Sequence, residues 1–318
     1  METNFSSDFF LMGFSDYVGH PAFIFLIFLT VYIISLMGNT FLVALVILSP
    51  QLHSPMYIFL SNLSLVDMSL TTVVVPQMLL NMLIRNKSIS FIDCIAQVYF
   101  FIAFAGVECF LLTTMAYDRY VAICKPLYYT TIMNKKLCIQ MASVCWVINF
   151  VNSVLHTLLI ARLSFCGSRV VQHFFCDIIP LFKLSCSDTS VNELVIFTEG
   201  SLIVALPFVV TLISYIHVIR TIINIQSAMG RKATFSTCSA HLTVVAMFYG
   251  TMIFIYFRPS SAYSPAHDKI ASVLYTVLTP MLNPFIYSLR NKDVKSAFRK
   301  LIHFNILEIS VRPNYQIH

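Results

Sequence analysis

Seven long apolar runs dominate this chain, at about 21–48, 57–83, 92–123, 137–160, 193–222, 235–257 and 269–289. A hydrocarbon layer about 30 Å thick is crossed by roughly 20 apolar residues in a helix, and each run is long enough. In lipid, every backbone N–H and C=O must find its partner within the protein. A spanning segment is therefore a helix or a strand of a closed barrel. A barrel would show apolar–polar alternation in stretches of roughly ten residues, and the sequence has none. The prediction is an all-α membrane protein, a seven-helix bundle over 21–289 with tails at 1–20 and 290–318.

Composition agrees. Of 318 residues, 58% are hydrophobic and 11% charged, against about 45–50% and about 25% in soluble domains. So few charges cannot cover a water-facing surface, which argues against a soluble enzyme, a disordered chain and a nucleic-acid binder. No repeat at fixed period or duplicated half suggests an inverted-repeat transporter. Residues 1–20 hold Glu2, Asp8 and Asp16 but no Lys or Arg, unlike a cleaved signal peptide. The first run reads as a retained signal anchor.

With the N-terminus outside, 13 of the 20 Lys and Arg residues fall on the cytoplasmic side and 7 outside. That asymmetry sets the orientation, with the C-terminus inside. The net charge of +6 then reads as facing anionic lipid, and Arg290–Ile306 as a short amphipathic helix on the inner leaflet. Asn4-Phe5-Ser6 is a glycosylation sequon in the outer tail. Asn86-Lys87-Ser88 lies outside but close to the membrane, and Asn62-Leu63-Ser64 falls within a span.

Ionisable residues inside a membrane are costly and often functional. Asp67, Glu108 and Glu199 lie within spans. On the third span, Phe101, Ala105, Glu108, Leu112 and Arg119 fall on one helical stripe, which must face protein. Asp67 can reach the depth of Glu108. The pair reads either as a sodium or proton site or as a static polar network between helices. Asp118-Arg119 reads as a latch at the inner face or as an interfacial anchor. The outer loop at about 161–191 carries Cys166, Cys176 and Cys186, and Cys94 lies at the outer end of the third span. Four cysteines on an oxidising face allow three pairings, and their spacing selects none. Pro284, between Asn283 and Tyr287, marks a kink in the seventh span, either a movable joint or a tolerated proline. Tyr249, Met252 and Tyr256 form a stripe on the sixth span, which packing alone could explain.

Taken together, these stretches resemble the olfactory receptors of the rhodopsin-like G-protein-coupled receptor superfamily. The matching stretches begin with Gly38-Asn39, Leu52-His53-Ser54-Pro55-Met56-Tyr57 and Leu63-Ser64-Leu65-Val66-Asp67. Next comes Met115-Ala116-Tyr117-Asp118-Arg119-Tyr120-Val121-Ala122-Ile123-Cys124, followed by Ser214-Tyr215. Lys232-Ala233-Thr234-Phe235-Ser236-Thr237-Cys238-Ser239-Ala240-His241-Leu242 and Pro280-Met281-Leu282-Asn283-Pro284-Phe285-Ile286-Tyr287 complete the set. The resemblance runs to about Phe298, and the class II subgroup fits better.

The resemblance implies disulfides Cys94–Cys176 and Cys166–Cys186, and a sodium site at Asp67 and Glu108 as an allosteric modulator, with no other cofactor. It implies that Asp118, Arg119, Tyr120, Tyr215, Asn283, Pro284 and Tyr287 carry activation and G-protein coupling. It places an odorant cavity at Phe101, Ile102, Ala105, Gly106, Glu199, Ile203, Tyr249, Met252, Ile253, Tyr256 and Thr276. Tyr249 stands where many other rhodopsin-like receptors have a tryptophan. Glu199 would favour a cationic or hydrogen-bond-donating ligand, or would pair with Arg169 or His173 from the loop above. The implied function is that of a plasma-membrane receptor for small volatile molecules that raises cyclic AMP through a stimulatory G protein.

Competing classes are weaker. A retinal pump needs a lysine in mid-span, and Lys269 lies at the outer end of the seventh. An intramembrane enzyme would show HExxH, GxGD or GxSxG, all absent here. A related receptor for a metabolite, used outside the nose, would have the same sequence features.

Overall fold

The computed structural model describes residues 8–13, 21–84, 87–256, 264–290 and 293–300. Its helices are α1 (Pro21–Leu48), α2 (Pro55–Leu83), α3 (Phe91–Cys124), α4 (Tyr129–Ile132) and α5 (Lys135–Ala161). They continue with α6 (Ile178–Leu184), α7 (Ser190–Ile223), α8 (Ala228–Tyr256), α9 (Pro265–Val273) and α10 (Thr279–Arg290). A π turn at Leu274–Leu278 fuses α9 to α10. Seven helices, counting α9–α10 as one, are long and apolar enough to cross a membrane. Several outrun their apolar stretches. α8 begins at Ala228 rather than 235 because its first two turns carry Arg231 and Lys232 and extend toward the cytoplasm, where hydropathy sets no limit.

Local chemistry fixes the helix ends. Ser90 caps α3 by accepting from the Asp93 N–H at 3.1 Å, and Asn134 caps α5 by accepting from Leu137 at 2.9 Å. Such caps satisfy donors that have no partner within the helix. α3 is the axis of the bundle, with 61% of its most apolar window buried, against 28% for α1, α5 and α7. Met37, Ile47, Val147 and Val151 are all more than 60% exposed, as residues facing lipid would be.

Prolines inside the spans free carbonyls, and neighbouring helices satisfy them. Pro284 leaves the Pro280 carbonyl without its helical donor, and Asn39 on α1 donates to that oxygen at 3.0 Å. Gly38, next in sequence, permits the contact: a Cβ there would lie 3.0 Å from Pro284 Cγ. Pro207 in α7 likewise frees the Ile203 carbonyl, and the Cys109 thiol on α3 donates to it at 3.5 Å.

A small sheet of order β2-β1-β3 covers the outer end, with β1 at Phe9–Leu11, β2 at Ser88–Ile89 and β3 at Val170–Val171. β1 runs antiparallel to β2 and parallel to β3. Phe9 and Leu11 are buried beneath it while Phe10 points outward. Their outer core includes Cys94 and Cys176, which are joined by a disulfide; a second joins Cys166 to Cys186. At the inner end, 293–300 is helical, with Val294 and Ala297 buried. Tyr57 donates to Asp293 at 3.3 Å and Lys300 to Gln51 at 3.0 Å. Asn4, Asn86 and 301–306 lie outside the described residues.

Candidate functional site

A cavity of about 690 Å³ opens among α3, α5, α7 and α8 beneath α6. That is within the size range of small-molecule sites, and its lining is predominantly apolar as theirs is. The structure brings together seven of the residues expected there: Phe101, Ile102, Ala105, Gly106, Ile203, Met252 and Tyr256. Gly106 is where α5 packs closest: a Cβ would collide with Asn149, which is itself buried and donates to the Cys145 carbonyl at 2.8 Å.

Four expected residues lie off the wall. Ile253 is 45% exposed on the outside of the bundle, where lipid satisfies it as well as a cavity would. Thr276 is fully buried and donates to the Ser272 carbonyl at 2.7 Å, closing its hydroxyl within its own helix. Tyr249 packs on Phe208, and its hydroxyl lies 3.3 Å from Cys109 Sγ, so it reaches the cavity only through Cys109. Glu199 is replaced at the wall by the residues that bind it.

The Glu199 carboxylate pairs with neither Arg169 nor His173. It lies 2.5 Å from His156 Nε2 on α5, and the Asn152 side-chain amide abuts both carboxylate oxygens, to which it donates once its nitrogen is turned toward them. Glu199 stands nine residues into α7, roughly 13 Å down the helix, too deep for the outer loop. Asn152 and His156 both line the cavity. Neither is among the residues expected at the cavity. Their signal is the polar set Asn149, Asn152, Ser153 and His156 at i, i+3, i+4 and i+7 on an otherwise apolar span.

Above the cavity, the loop is fastened to α8. Tyr256 donates to both oxygens of Asp177, each at 3.1 Å, and Asp177 also accepts from the Ile178 N–H at 2.7 Å. Burial pushes the Asp177 carboxyl up to about 6, opposed by these hydrogen bonds. His173 is buried between Phe174 and Phe175, and burial, with Lys269 adding to it, holds the imidazole down to about 3.

At the inner end, Asp118 is fully buried and Arg119 donates to it from Nη2 at 2.7 Å and Nε at 3.1 Å. Tyr129 donates to the other carboxylate oxygen at 2.8 Å. Burial and the Asp118 charge raise the Tyr129 phenol, which stays an O–H donor. Tyr215 and His241 Nδ1 are hydrogen-bonded at 2.6 Å. Tyr120 packs against His217. Between the two ends, Asn283 donates to both oxygens of Asp67, at 3.1 and 2.9 Å. Among the described residues, both oxygens of Glu108 are buried without a hydrogen-bond partner, as are Asn39 Oδ1, Asn283 Oδ1 and the Tyr287 hydroxyl.

A sequence model of the family described as olfactory receptor matches residues 28–304. Human olfactory receptor 1J4 is 50% identical over 297 residues, 93% of this chain and 95% of its own length. Olfactory receptor 1G1 of Gorilla gorilla gorilla is 49% identical over 93% of this chain and 95% of its own. Olfactory receptor 1f45 of Rattus norvegicus is 48% identical over 94% and 96%. The chain belongs to the olfactory receptor family. Olfactory receptors are multi-pass plasma-membrane proteins of the rhodopsin-like G-protein-coupled class. They are signalling receptors rather than enzymes, which makes this chain an odorant-sensing receptor. The stretches quoted from Gly38 to Phe298 fall within the matched region.

Proposed function

We propose that the cavity beneath α6 is the odorant site and that occupancy is read at the Asp118–Arg119 end through α3 and α8. The observation that carries this reading is the cavity itself: about 690 Å³, mostly apolar, with α3, α5, α7 and α8 all contributing to its wall. A small volatile molecule would gain mainly from apolar burial at Phe101, Ile102 and Met252, roughly 25 cal/mol per Å², so its affinity is modest. To act as an agonist it has to bind the active arrangement more tightly than the resting one. In the arrangement described, Arg119 is held by its neighbour and Tyr215 by His241. That is a closed inner face. Release of Arg119 toward a heterotrimeric G protein, with Tyr120, Tyr215, Asn283, Pro284 and Tyr287 repacking, is the coupling step.

The buried carboxylates of Asp67 and Glu108, with Asn283 beside Asp67, suit a hard cation, which takes oxygen ligands. Asp67 and Glu108 would supply its charge balance, and sodium bound there would favour the resting arrangement.

The test is a screen of diverse odorants on cells expressing the receptor, with cyclic AMP as readout, on wild type and on Gly200→Phe. A Cβ at Gly200 meets only Ile196 Cγ2, at 3.8 Å, so a larger side chain has space on the cavity wall. Responses of the wild type that vanish in Gly200→Phe, with surface expression retained, support the site. Responses that persist unchanged overturn it.

A further inference from the structure

Resting on the cavity as the odorant site, we infer that its polar anchor is the free edge of His156 and that the receptor selects odorants with a hydrogen-bond-donating head, an alcohol, phenol or primary amine, on an apolar body.

Most polar groups on the wall already have partners within the protein. Tyr256 spends its hydroxyl on Asp177. The Cys109 thiol donates to the Ile203 carbonyl and touches the Tyr249 hydroxyl. Glu193 accepts from Thr189 at 2.8 Å and is exposed to solvent near the start of α7. Lys183 has interactions within the protein. Asn152 directs its amide nitrogen to Glu199. His156 is different. One ring nitrogen, Nε2, is committed to Glu199, while Nδ1 has no hydrogen-bond partner among the described residues, and the ring lines the cavity.

Glu199 determines what that free nitrogen can do. With Glu199 as the acceptor, the bond at 2.5 Å takes the ring proton to Nε2. With its one proton there, the imidazole presents a lone pair at Nδ1. A lone pair in an apolar cavity rewards an O–H or N–H from the ligand and gives nothing to an ether or aldehyde oxygen. Asn152 holds Glu199 from the other side, which fixes the carboxylate and through it the ring. Glu199 is thus a positioning residue. It sets the tautomer, and His156 touches the ligand.

The experiment compares matched odorants sharing one carbon skeleton: a primary alcohol and amine against the methyl ether and aldehyde, in aliphatic and aromatic series. Cyclic AMP is read from cells with receptor surface levels measured in parallel. On the wild type, the alcohol or amine is expected to be about three- to tenfold more potent than its ether and aldehyde, the ratio one neutral hydrogen bond provides. His156→Phe keeps the ring volume and should bring that ratio to one while the ether response survives. Glu199→Gln still offers an acceptor to Nε2 and should keep most of the ratio. Glu199→Leu removes the acceptor and should lose it. Gly200→Phe should silence every member of the panel.

Two outcomes overturn the inference: ethers and aldehydes matching or exceeding the alcohols and amines on wild type, or an unchanged ratio in His156→Phe. A wild type silent to the whole panel, or responses that survive Gly200→Phe, overturns the cavity as the odorant site instead. An amine preference that disappears in Glu199→Gln while the alcohol preference stays would support His156 as the anchor for the hydroxyl and show that amines also sense the Glu199 charge.

Discussion

The loop over the cavity contains two buried ionisable groups with opposite pH responses, and their difference can be measured. His173 is neutral in the folded loop because its imidazole is held near 3, against 6.5 ordinarily. Once unfolded it takes up a proton below 6.5, so folded stability is lost as pH falls from 6.5 toward 3. At about pH 5 the loss is about 2 kcal/mol, from 1.5 pH units at about 1.4 kcal/mol each. Asp177 acts in the other direction. Its carboxyl is raised to about 6 from 3.8, so the folded form protonates first. Its contribution is complete below 3.8 and is lost as pH rises through 6. At about pH 5 it returns about 1.4 kcal/mol. The wild type should therefore change little from these two groups between about pH 7.5 and 5, because the effects nearly cancel. The variants separate them. His173→Phe keeps the ring packing with Phe174 and Phe175 and should gain about 1.4 kcal/mol at the lower pH relative to its own neutral value. Asp177→Asn can still accept from Ile178 and Tyr256 and should lose about 2 kcal/mol. Thermal unfolding of purified receptor at the two pH values reads both, as shifts of several degrees in opposite directions. Other titrating groups are common to all three proteins and drop out of the comparison. Identical pH profiles for wild type and both variants would refute the reasoning.

Other outcomes follow from packing and covalent geometry. Gly106→Ala should destabilise the bundle by about 1–3 kcal/mol through collision with Asn149; adding Asn149→Ala should recover part of that, read from melting temperatures as a double-mutant cycle. Replacing the Cys94–Cys176 pair by serines, which frees a separation of 82 residues, should reduce surface display more than replacing Cys166–Cys186, with 20. Arg119→Ala should abolish odorant-stimulated cyclic AMP while surface receptor remains measurable. Asp67→Asn should remove any dependence of agonist potency on sodium concentration, tested against a potassium control.

Most of the fold was legible because membrane crossing is a length rule: each apolar run had to become a helix, and each did. The motif residues were legible by type, and the structure adds what they touch. The pairing of Gly38 with Asn39 has a reason, since one admits Pro284 and the other caps the carbonyl that Pro284 frees. What could not be read was rotation and partnership. Ile253 and Met252 are both apolar, and hydropathy cannot distinguish a residue facing lipid from one facing a cavity; only the packed helix shows the first outward and the second inward. The partner of Glu199 was missed because its nearest charges in sequence lie in the loop, whereas depth in the membrane decides contact. β1, β2 and β3 are two or three residues each, too short for any periodicity to register.

The outer sheet also has a temporal meaning. Its central strand, β1, leaves the ribosome first. Its antiparallel neighbour at Ser88–Ile89 follows only after two spans, and its parallel neighbour at Val170–Val171 only after four. Residues 9–11 therefore wait in the lumen without their parallel neighbour through more than half of synthesis. The cover over the cavity cannot assemble before the fourth crossing is complete and Cys176 has arrived to meet Cys94. Closure of the cover over the cavity is thus a late step in biogenesis, and a chain stalled before that point would leave Phe9 and Leu11, buried in the finished fold, uncovered.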